Sequence, residues 1–482
     1  MSAAAGAVRP GAARPGAARV TPPAFYLVVQ LVAAGLIGLG LGVVAAGSAL
    51  AAEPLRGALD RAGLSGSIAL DYYSSNHDID DREHFPGANL VVKQRFSLAE
   101  DVRWVAEARV LAQQVGHEHE DATHGSVRAL RYADEVISEL REGYFEVVRE
   151  RWELRAGKQI IPWGRADEIN PTDVITPKNY VLLLPEGSAG YRFGVSSLKL
   201  DYFLPASLRA TAVWVPFFTP SVIPLEVPSG ARLEERVPGV RIEDGSAGLK
   251  LDRSGGKIDA SLAYFYGYNL LPEVRIESAS LDPDTRMLRA DAALTHARQH
   301  MIGGDFATVR GRFGYRGEVA YVLTDNPHGR RVESIVPYLY YVLGVERSFF
   351  ENLSVIVQYV GRWVPDRVDP ERALADPDPV RGQVRFIAAR STFAINSQLD
   401  TVQNGWSLRL DKKLWNDTLD CELLGIHYLP RNDFFLRPRL TYDLTDAWKA
   451  IVGGEVFQGP ARSVFGRVKK NTGAFVELRY SF

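Results

Sequence analysis

The polar residues best suited to chemistry are concentrated in one segment, which runs from Ile161 to Glu186 with the sequence IPWGRADEINPTDVITPKNYVLLLPE. It carries cations and carboxylates within a few residues of each other. Opposite charges that face each other across an enclosed passage produce a transverse electric field, which sorts solutes by charge and dipole. The predicted residues of such a constriction are Trp163, Arg165, Asp167, Glu168, Asn170, Asp173 and Lys178.

Two features of this segment favour a position folded inward rather than exposed. The leucines at 182–184 need cover from water, and the prolines stiffen the backbone. In this interpretation Arg165 and Lys178 face the three acidic side chains of the segment. The alternatives are an exposed flap, or ion pairs that attach the segment to a neighbouring wall.

A second set of charges recurs at every other position of several apolar stretches. Side chains of a strand alternate between its two faces, so these charges share one face. With Lys199, Asp201 and Arg209 the set contains ten cations and seven carboxylates, which predicts at most a mild anion preference. The alternative is that arginine–carboxylate pairs brace the wall. The other predicted wall residues are Arg103, Glu107, Arg109, Glu153, Arg155, Arg316, Glu318, Arg409, Asp411, Arg437, Arg439, Asp443, Glu477 and Arg479.

Three histidines, His117, His119 and His124, lie among acidic residues in a polar segment and could bind zinc or copper. A flexible surface loop explains them better, because no rigid ligand frame is evident. His296 and His300 are interpreted as surface residues. No G-x-S-x-G motif or persuasive Ser–His pairing is found, so we predict neither an enzyme nor a bound metal or cofactor.

The elements that must position these charges are β-strands. In WELRAGKQ, for example, Trp152 and Leu154 alternate with Glu153 and Arg155. The same pattern recurs along the chain and ends in GAFVELRYSF, whose last residue is Phe482. One face of each strand is therefore apolar and the other is charged.

The connections between these strands alternate between short and long. Short ones include 98–101, 253–256, 309–312, 350–352, 415–417 and 444–448, and between them lie 116–135, 163–190, 217–244, 269–297, 365–403 and 458–470. This rhythm is typical of a transmembrane antiparallel β-barrel, with its apolar face toward lipid. We predict an all-β fold of about 18 strands, with 16 as the alternative, and an extracellular loop folded into the lumen. A soluble sandwich or propeller is less consistent, because no repeat of about 40–50 residues is found.

The first residues have the pattern of an export signal. Three arginines precede an uncharged run that ends in Ala49-Leu50-Ala51, which predicts a cleaved signal peptide over 1–51; an uncleaved anchor is the alternative. Residues 52–65 would form a short periplasmic segment and 66–482 the barrel. The remaining 53 basic and 58 acidic side chains do not indicate a nucleic-acid partner. The single cysteine, Cys421, permits no internal disulfide.

Two stretches carry a resemblance to known proteins. The terminal YSF resembles the signature that the barrel-assembly machinery reads in Gram-negative outer-membrane proteins, with Phe482 as the assembly signal. The segments LRAGKQIIPWGRADEINPTDVITP and RLTYDLTDAWKAIVGGEVFQGP resemble a broad family of porin-like outer-membrane barrels distantly related to alginate-export-type porins. The resemblance runs through most of the chain after the signal. It implies a channel or transporter in the cell outer membrane, sometimes for hydrophobic compounds, and identifies no substrate.

Two functions follow from these predictions. The first is a porin that passes small-molecule solutes through a charged, water-filled lumen narrowed by the 163–190 loop. The second is the outer-membrane component of a lipid or hydrophobic-compound transport system that works with periplasmic partners. The apolar stretch at 217–228 favours the second, because Phe217, Phe218, Val222, Ile223 and Leu225 form a patch suited to a greasy ligand. Both functions place outer-membrane lipid around the barrel.

Overall fold

The computed structural model describes residues 53–75, 84–113, 136–180, 188–223, 230–284, 287–350, 352–461 and 463–482. Four features predicted from the sequence lie outside the described residues. They are the signal peptide over 1–51, the histidines His117, His119 and His124, the leucines at 182–184, and Leu225 of the apolar stretch.

Strands dominate the described part of the chain. Their bounds are β1 (Leu64–Ser75), β2 (His84–Ala99), β3 (Val102–Gln113), β4 (Val136–Val148), β5 (Trp152–Gln159), β6 (Val195–Leu204), β7 (Leu208–Val215), β8 (Ala231–Glu235), β9 (Ser246–Arg253), β10 (Ile258–Tyr268), β11 (Glu273–Leu281), β12 (Leu288–Thr295), β13 (Arg298–Arg310), β14 (Phe313–Thr324), β15 (Tyr338–Phe349), β16 (Leu353–Trp363), β17 (Val402–Leu414), β18 (Leu419–Tyr428), β19 (Asp433–Asp443), β20 (Trp448–Gln458) and β21 (Gly473–Ser481).

Eighteen of these strands form one closed antiparallel barrel. Each strand pairs with the next barrel strand along the chain, so that β7 pairs with β9 and β10 with β13. The barrel closes between β1 and β21, where Leu70 lies opposite Leu478. The prediction of eighteen strands is confirmed, and the alternative of sixteen is wrong.

The two ends of the barrel differ in their connections, as predicted. One end carries both chain termini of the barrel and short turns such as 205–207, 254–257 and 415–418. The turns 205–207 and 415–418 place Ala206, Ser207 and Asn416 at positive φ, a left-handed conformation that short hairpin loops use to reverse the chain. The other end carries the long connections, with one exception, the short turn at 429–432 between β18 and β19.

The two faces of the barrel have opposite character. The outer face exposes large apolar side chains, including Leu262 (65% exposed) and Leu343 (56%). Exposed aromatics lie toward both ends of the strands, for example Trp363 and Phe434 near the long connections and Tyr442 and Trp448 near the short turns. The inner face buries polar and charged side chains.

The long connections contain structure that the sequence pattern did not reveal. Strands β11 and β12 pair antiparallel, and β8 adds parallel to β12, which makes a separate three-stranded sheet. The stretch 365–403, predicted as a polar loop, contains a 3₁₀ turn (Pro370–Ala375) and a 17-residue helix. The Asp378 side chain caps this helix by accepting from the Val380 and Arg381 N–H groups.

Three α-helices are present in the described residues: α1 (Glu53–Arg61), α2 (Ser188–Tyr191) and α3 (Pro379–Ile395). Further 3₁₀ turns cover Ile242–Asp244 and Gly466–Asn471. None of the helices that the structure describes is long and apolar enough to cross a membrane. Helix α1 lies in the predicted 52–65 segment, and its Leu59 packs against outer-face residues such as Leu90 and Val92.

Candidate functional site

The segment 161–178 folds into the barrel and packs against its inner face. Ile161, Trp163 and Ile175 are at most 4% exposed. They belong to one apolar cluster with inner-face residues of six strands, among them Phe265 of β10 and Met301 of β13. Burial of a tryptophan and two isoleucines attaches this end of the segment to the wall, because each such side chain contributes about 1.5–3 kcal/mol on leaving water.

Arg165 extends from this cluster toward the short-turn end of the barrel. Its Nε lies 2.7 Å from a carboxylate oxygen of Asp305 in β13, which is almost fully buried. Its terminal nitrogens lie 3.6 Å from Asp252 in β9 and 3.6 Å from Asp259 in β10. These two aspartates are each next to the last or first residue of their strands, beside the short turn 254–257. One guanidinium therefore joins the segment to three neighbouring strands.

Asp167 and Glu168 extend in the other direction along the wall. Arg409 of β17 places one guanidinium nitrogen 3.3 Å from Asp167 and 3.4 Å from Glu168, and Arg437 of β19 lies 3.8 Å from Glu168. Gln358 of β16 also hydrogen-bonds the Asp167 backbone, accepting from its N–H and donating to its carbonyl, both at 2.9 Å. The segment is thus held by strands on both sides of the lumen.

Glu318 of β14 is the central anchor of the segment. Its carboxylate is 3% exposed and accepts from the backbone N–H groups of Arg165 (3.0 Å), Ala166 (3.1 Å) and Thr172 (2.7 Å). The Thr172 hydroxyl donates to it at 2.8 Å, and the Asn170 amide donates at 3.4 Å. A buried carboxylate is stable only when such donors replace water. Here the donors come almost entirely from the segment.

The second half of the segment makes its own ion pairs. Asp173 lies 3.3 Å from the Lys178 ammonium and 2.7 Å from the guanidinium of Arg192, which follows α2. The Arg192 carbonyl accepts from the Arg141 guanidinium, and Arg109 of β3 donates to the Gly190 carbonyl at 2.9 Å. These contacts connect the segment to the β3–β4 side of the barrel.

The predicted pairing within the segment is correct in one part and wrong in another. Lys178 faces Asp173, as predicted. Arg165 faces wall aspartates and not Asp167 or Glu168, whose partners are wall arginines. The difference arises because this part of the segment is folded against the wall, so that the nearest opposite charges of Arg165, Asp167 and Glu168 are wall residues. The alternative in which ion pairs attach the segment to the wall describes the geometry.

All seventeen residues predicted for the wall, including Lys199, Asp201 and Arg209, lie on the inner face of their strands, and most pair with a neighbour. Arg103 and Arg155 contact Glu146, Arg155 also contacts Glu153, and Arg109 contacts Glu139. Ion pairs also join the following residues: Glu107 with Lys93 and Arg141, Arg316 with Glu346, Arg409 with Asp411, Arg439 with Glu422, Asp443 with Lys449, and Arg479 with Glu477.

Several inner-face carboxylates were missed in the sequence. They include Glu146, Asp252, Asp305, Glu422 and Glu455, all of which pair with wall or segment cations. In their strands, apolar and charged residues alternate less regularly than in the strands used for the prediction. Each alternates with outer-face residues, however, so a parity count over every strand would have found them.

Gly164 offers a test of how closely the segment approaches Glu318. Its φ is +99°, and a Cβ placed on it would lie 2.4 Å from both carboxylate oxygens. We expect G164A to displace Glu318 from its donors and to lower the free energy of unfolding by about 2 kcal/mol more than a control, because a buried polar group left unpaired costs that much. The control is G311A, where φ is +63° and nothing lies within 4 Å. Urea unfolding in detergent measures both variants, and equal losses would contradict the close approach.

The apolar stretch predicted at 217–228 packs against neighbouring connections at the long-connection end. Val222 (2% exposed) and Ile223 (9%) of the predicted apolar patch are buried, and Phe218 packs against Tyr268 and His296. The interpretation of His296 as a surface residue is wrong, because it is buried and its Nδ1 hydrogen-bonds the Asn269 carbonyl at 2.8 Å. Burial lowers the pKa of His296 to about 4, so the ring is neutral at pH 7.

Glu273, the first residue of β11, makes the three-stranded sheet sensitive to pH. Burial raises its pKa from 4.5 to about 7, partly offset by the hydrogen bond that it accepts from the Ile335 N–H at 2.8 Å. A raised folded-state pKa means that the protonated form is favoured by folding. The stability that the protonated Glu273 carboxyl group contributes is complete below about pH 4.5 and is lost as the pH rises through about 7.

We therefore expect E273Q to stabilise this region at pH 8 and not at pH 4. The amide keeps the acceptor for Ile335 without the buried charge, and the gain at pH 8 is on the order of 3 kcal/mol. Hydrogen exchange of peptides from 269–297 measures it as the ratio of wild-type to variant rates at each pH. A ratio that does not change with pH would contradict the assignment.

Comparisons with known proteins find similarity in structure only. No protein-family profile matches the chain, and no curated protein matches its sequence. Solved structures with similarity include Acinetobacter baumannii OccAB1, at 7% identity and a TM-score of 0.49 over 87% of this chain and 95% of that one. A. baumannii OccAB3 has 9% identity and a TM-score of 0.49 over 87% of this chain and 98% of that one. Pseudomonas aeruginosa OccK5 (OpdH) has 11% identity and a TM-score of 0.46 over 87% of this chain and 96% of that one. Similarity this distant carries no substrate or mechanism to this chain.

Proposed function

We propose that this protein is an outer-membrane porin that passes small solutes through a charged lumen narrowed by the 163–190 loop. The observation that carries the proposal is the inverted arrangement of the two faces: apolar side chains are exposed on the outside, while charged side chains and the segment 161–178 are enclosed. Ion pairs and hydrogen bonds from Arg165, Asp167 and Glu168 reach seven different strands.

The outer face supports a position in a lipid bilayer. A soluble protein seldom exposes contiguous apolar patches of more than a few hundred Å². Here exposed leucines, valines and aromatics encircle the barrel, from Leu70 on β1 to Leu478 on β21. The closed ladder leaves no unpaired strand edge, which is the condition for strands to cross hydrocarbon. The aromatics near both strand ends fit the two membrane interfaces.

The location of the passage follows from the attachment of the segment. Its contacts follow the wall from Arg141 on β4, reached through Arg192, past the apolar cluster on β6 and β7, to Arg437 on β19. We infer that solutes pass between this segment and the facing strands β20, β21, β1 and β2. Asp71, Glu477 and Arg479 lie on the inner face there, where Asp71 is directly opposite Glu477. Charges of both signs along this path favour weak ion selectivity.

Conductance in planar bilayers tests the proposal. Refolded protein that adds stepwise, steady currents in potassium chloride supports a porin, and a heat-denatured sample is the control. A silent barrel that co-purifies with lipid would instead support the second candidate, the component of a lipid transport system. The observation that suggested that candidate is weaker in the folded protein, because Val222 and Ile223 are buried and not available to a ligand.

The partners of the barrel follow from the same proposal. Outer-membrane lipid surrounds the outer face, and the barrel-assembly machinery inserts the chain by reading its last strand. Phe482 extends that strand, since its N–H donates to the Gly66 carbonyl at 3.0 Å and its carbonyl accepts from the Gly66 N–H at 2.9 Å. Periplasmic partners would be required only by the lipid-transport candidate.

A further inference from the structure

A cavity of about 360 Å³ lies at the long-connection end, and no residue of the 161–178 segment lines it. It is formed by the starting end of β11, the end of β12, the connection 325–337 and helix α3. Three long connections that are distant in sequence therefore meet around one space. The volume is in the range of sites that hold small organic molecules.

Cations dominate the walls of this cavity. Five arginines line it, against three carboxyl groups, Glu273, Asp325 and Glu333. Asp325 forms an ion pair with Arg331 at 2.6 Å, and Glu333 forms an ion pair with Arg385. The third carboxyl group, Glu273, is buried and accepts the Ile335 N–H. The carboxyl groups therefore leave positive charge uncompensated.

Two of the arginines are available to a ligand. Within the described ranges, no hydrogen bond, ion pair or ring contact is found for Arg275 of β11 or for Arg330 of the connection 325–337, and both are exposed. Arg381 is a third cation that a ligand could reach. It forms only a long ion pair, with its Nε 3.8 Å from Asp376, and its side chain is 55% exposed. A guanidinium offers a planar fork of N–H donors that matches the two oxygens of a carboxylate or phosphate group.

The frame that holds these arginines is rigid. Arg385 bridges Glu333 and Asp376, at 2.8 Å from the latter, and so joins α3 to the connection 325–337. The Thr392 hydroxyl of α3 accepts from the Val274 N–H at 2.8 Å, and Gln398 exchanges hydrogen bonds with the Val336 backbone. A preorganised frame lowers the entropic cost of binding.

We propose that this arginine-lined cavity binds a small organic anion, through a carboxylate or phosphate group held by Arg275 and Arg330, before the solute enters the barrel. The inference rests on the proposed channel function, to which it adds a class of solute. The same chemistry would also recognise the phosphate of a lipid headgroup, so the test includes both sources.

Calorimetric titration of the full chain in detergent micelles tests the cavity, with citrate as the probe and glucose as the uncharged control. We expect citrate to bind the wild type and glucose not to bind. R275A/R330A should weaken citrate binding by about 10–100-fold, because each substitution removes a guanidinium that donates hydrogen bonds to a citrate carboxylate. The matched control is R310A/R312A, which removes two exposed arginines beside the short turn at the opposite end of the barrel.

A parallel arm replaces citrate by lipid A doped into the micelles. Binding of lipid A but not of citrate, lost in R275A/R330A, would assign the anionic group to a lipid and overturn entry of a free solute. Equal affinity in all variants, or no binding of either probe, would overturn the anion site itself.

The experiments distinguish an error in the proposed anion site from an error in the proposed channel function. Stepwise conductance in potassium chloride without anion binding would remove the cavity and leave the porin. Citrate binding by a barrel that conducts no current would retain the cavity as an anion site, but would overturn both the porin and the entry step assigned to the bound anion.

Discussion

Removal of residues 165–173 is expected to raise the single-channel conductance severalfold. These nine residues contain the side chains that reach Asp305, Arg409 and Arg437, and so cross much of the interior. Replacing them by a short Gly-Ser linker retains Trp163 and Ile175, which hold the remaining ends in the apolar cluster. The lumen of an 18-stranded barrel is wide enough for an aqueous channel once no segment fills it.

The size of the effect comes from geometry more than from charge. Because the segment enters the narrowest part of the passage in our proposal, its removal widens that part and deletes three carboxylates and a guanidinium together. The control is a nine-residue deletion within 114–135, a long connection that lies outside the described residues. Conductance and reversal potential in planar bilayers measure both variants. If the 165–173 deletion conducts like the wild type, the segment does not narrow the channel.

Substitution of Glu318 by glutamine is expected to release the segment without shortening it. Glu318 accepts from three backbone N–H groups, a hydroxyl and an amide of the segment. A carboxylate accepts at every lone pair, whereas the glutamine amide turns an NH₂ group toward some of the same donors. Each hydrogen bond to the charged group contributes about 1.5–3 kcal/mol, so loss of two or three frees the segment.

The expected result for E318Q is an unstable current with frequent transitions to a higher conductance. The matched control is E346Q, because Glu346 on the next strand pairs with Arg316 of the wall. Both variants remove one inner-face charge, so a change in selectivity alone would be common to both. Current noise in E318Q that equals that of E346Q would show that Glu318 does not anchor the segment.

Much of the barrel could be read from local sequence. Strands such as β5 and β17 alternate apolar and charged residues, and this period of two follows from backbone geometry that neighbours do not change. The spacing of turns then gave the strand count and the two kinds of ends. Helix α3 was missed because its residues carry no clear apolar period; its start depends on a cap, Asp378, and its position on contacts with β11.

The sequence suggested members for the candidate site, whose role stays a prediction, and did not suggest their contacts. The segment 161–178 was recognised from its charge and prolines, and its inward position from leucines that needed cover. Glu318 was placed on the wall with sixteen others, yet nothing in its local sequence distinguishes it as the anchor, since its donors lie about 150 residues earlier in the chain. The arginine-lined cavity was not predicted at all, because its walls come from three separate connections.

The sequence by itself therefore determined which residues of a regular strand share a face, because side-chain parity is a property of each strand alone. Only the tertiary structure decided which inward charges meet. Arg165 had acidic neighbours in its own segment and wall aspartates more than 80 residues away, and it pairs with the latter. The physical reason is that closure of the barrel brings distant strands within ion-pair distance of one chain, and buried charges take the partners that replace the most water.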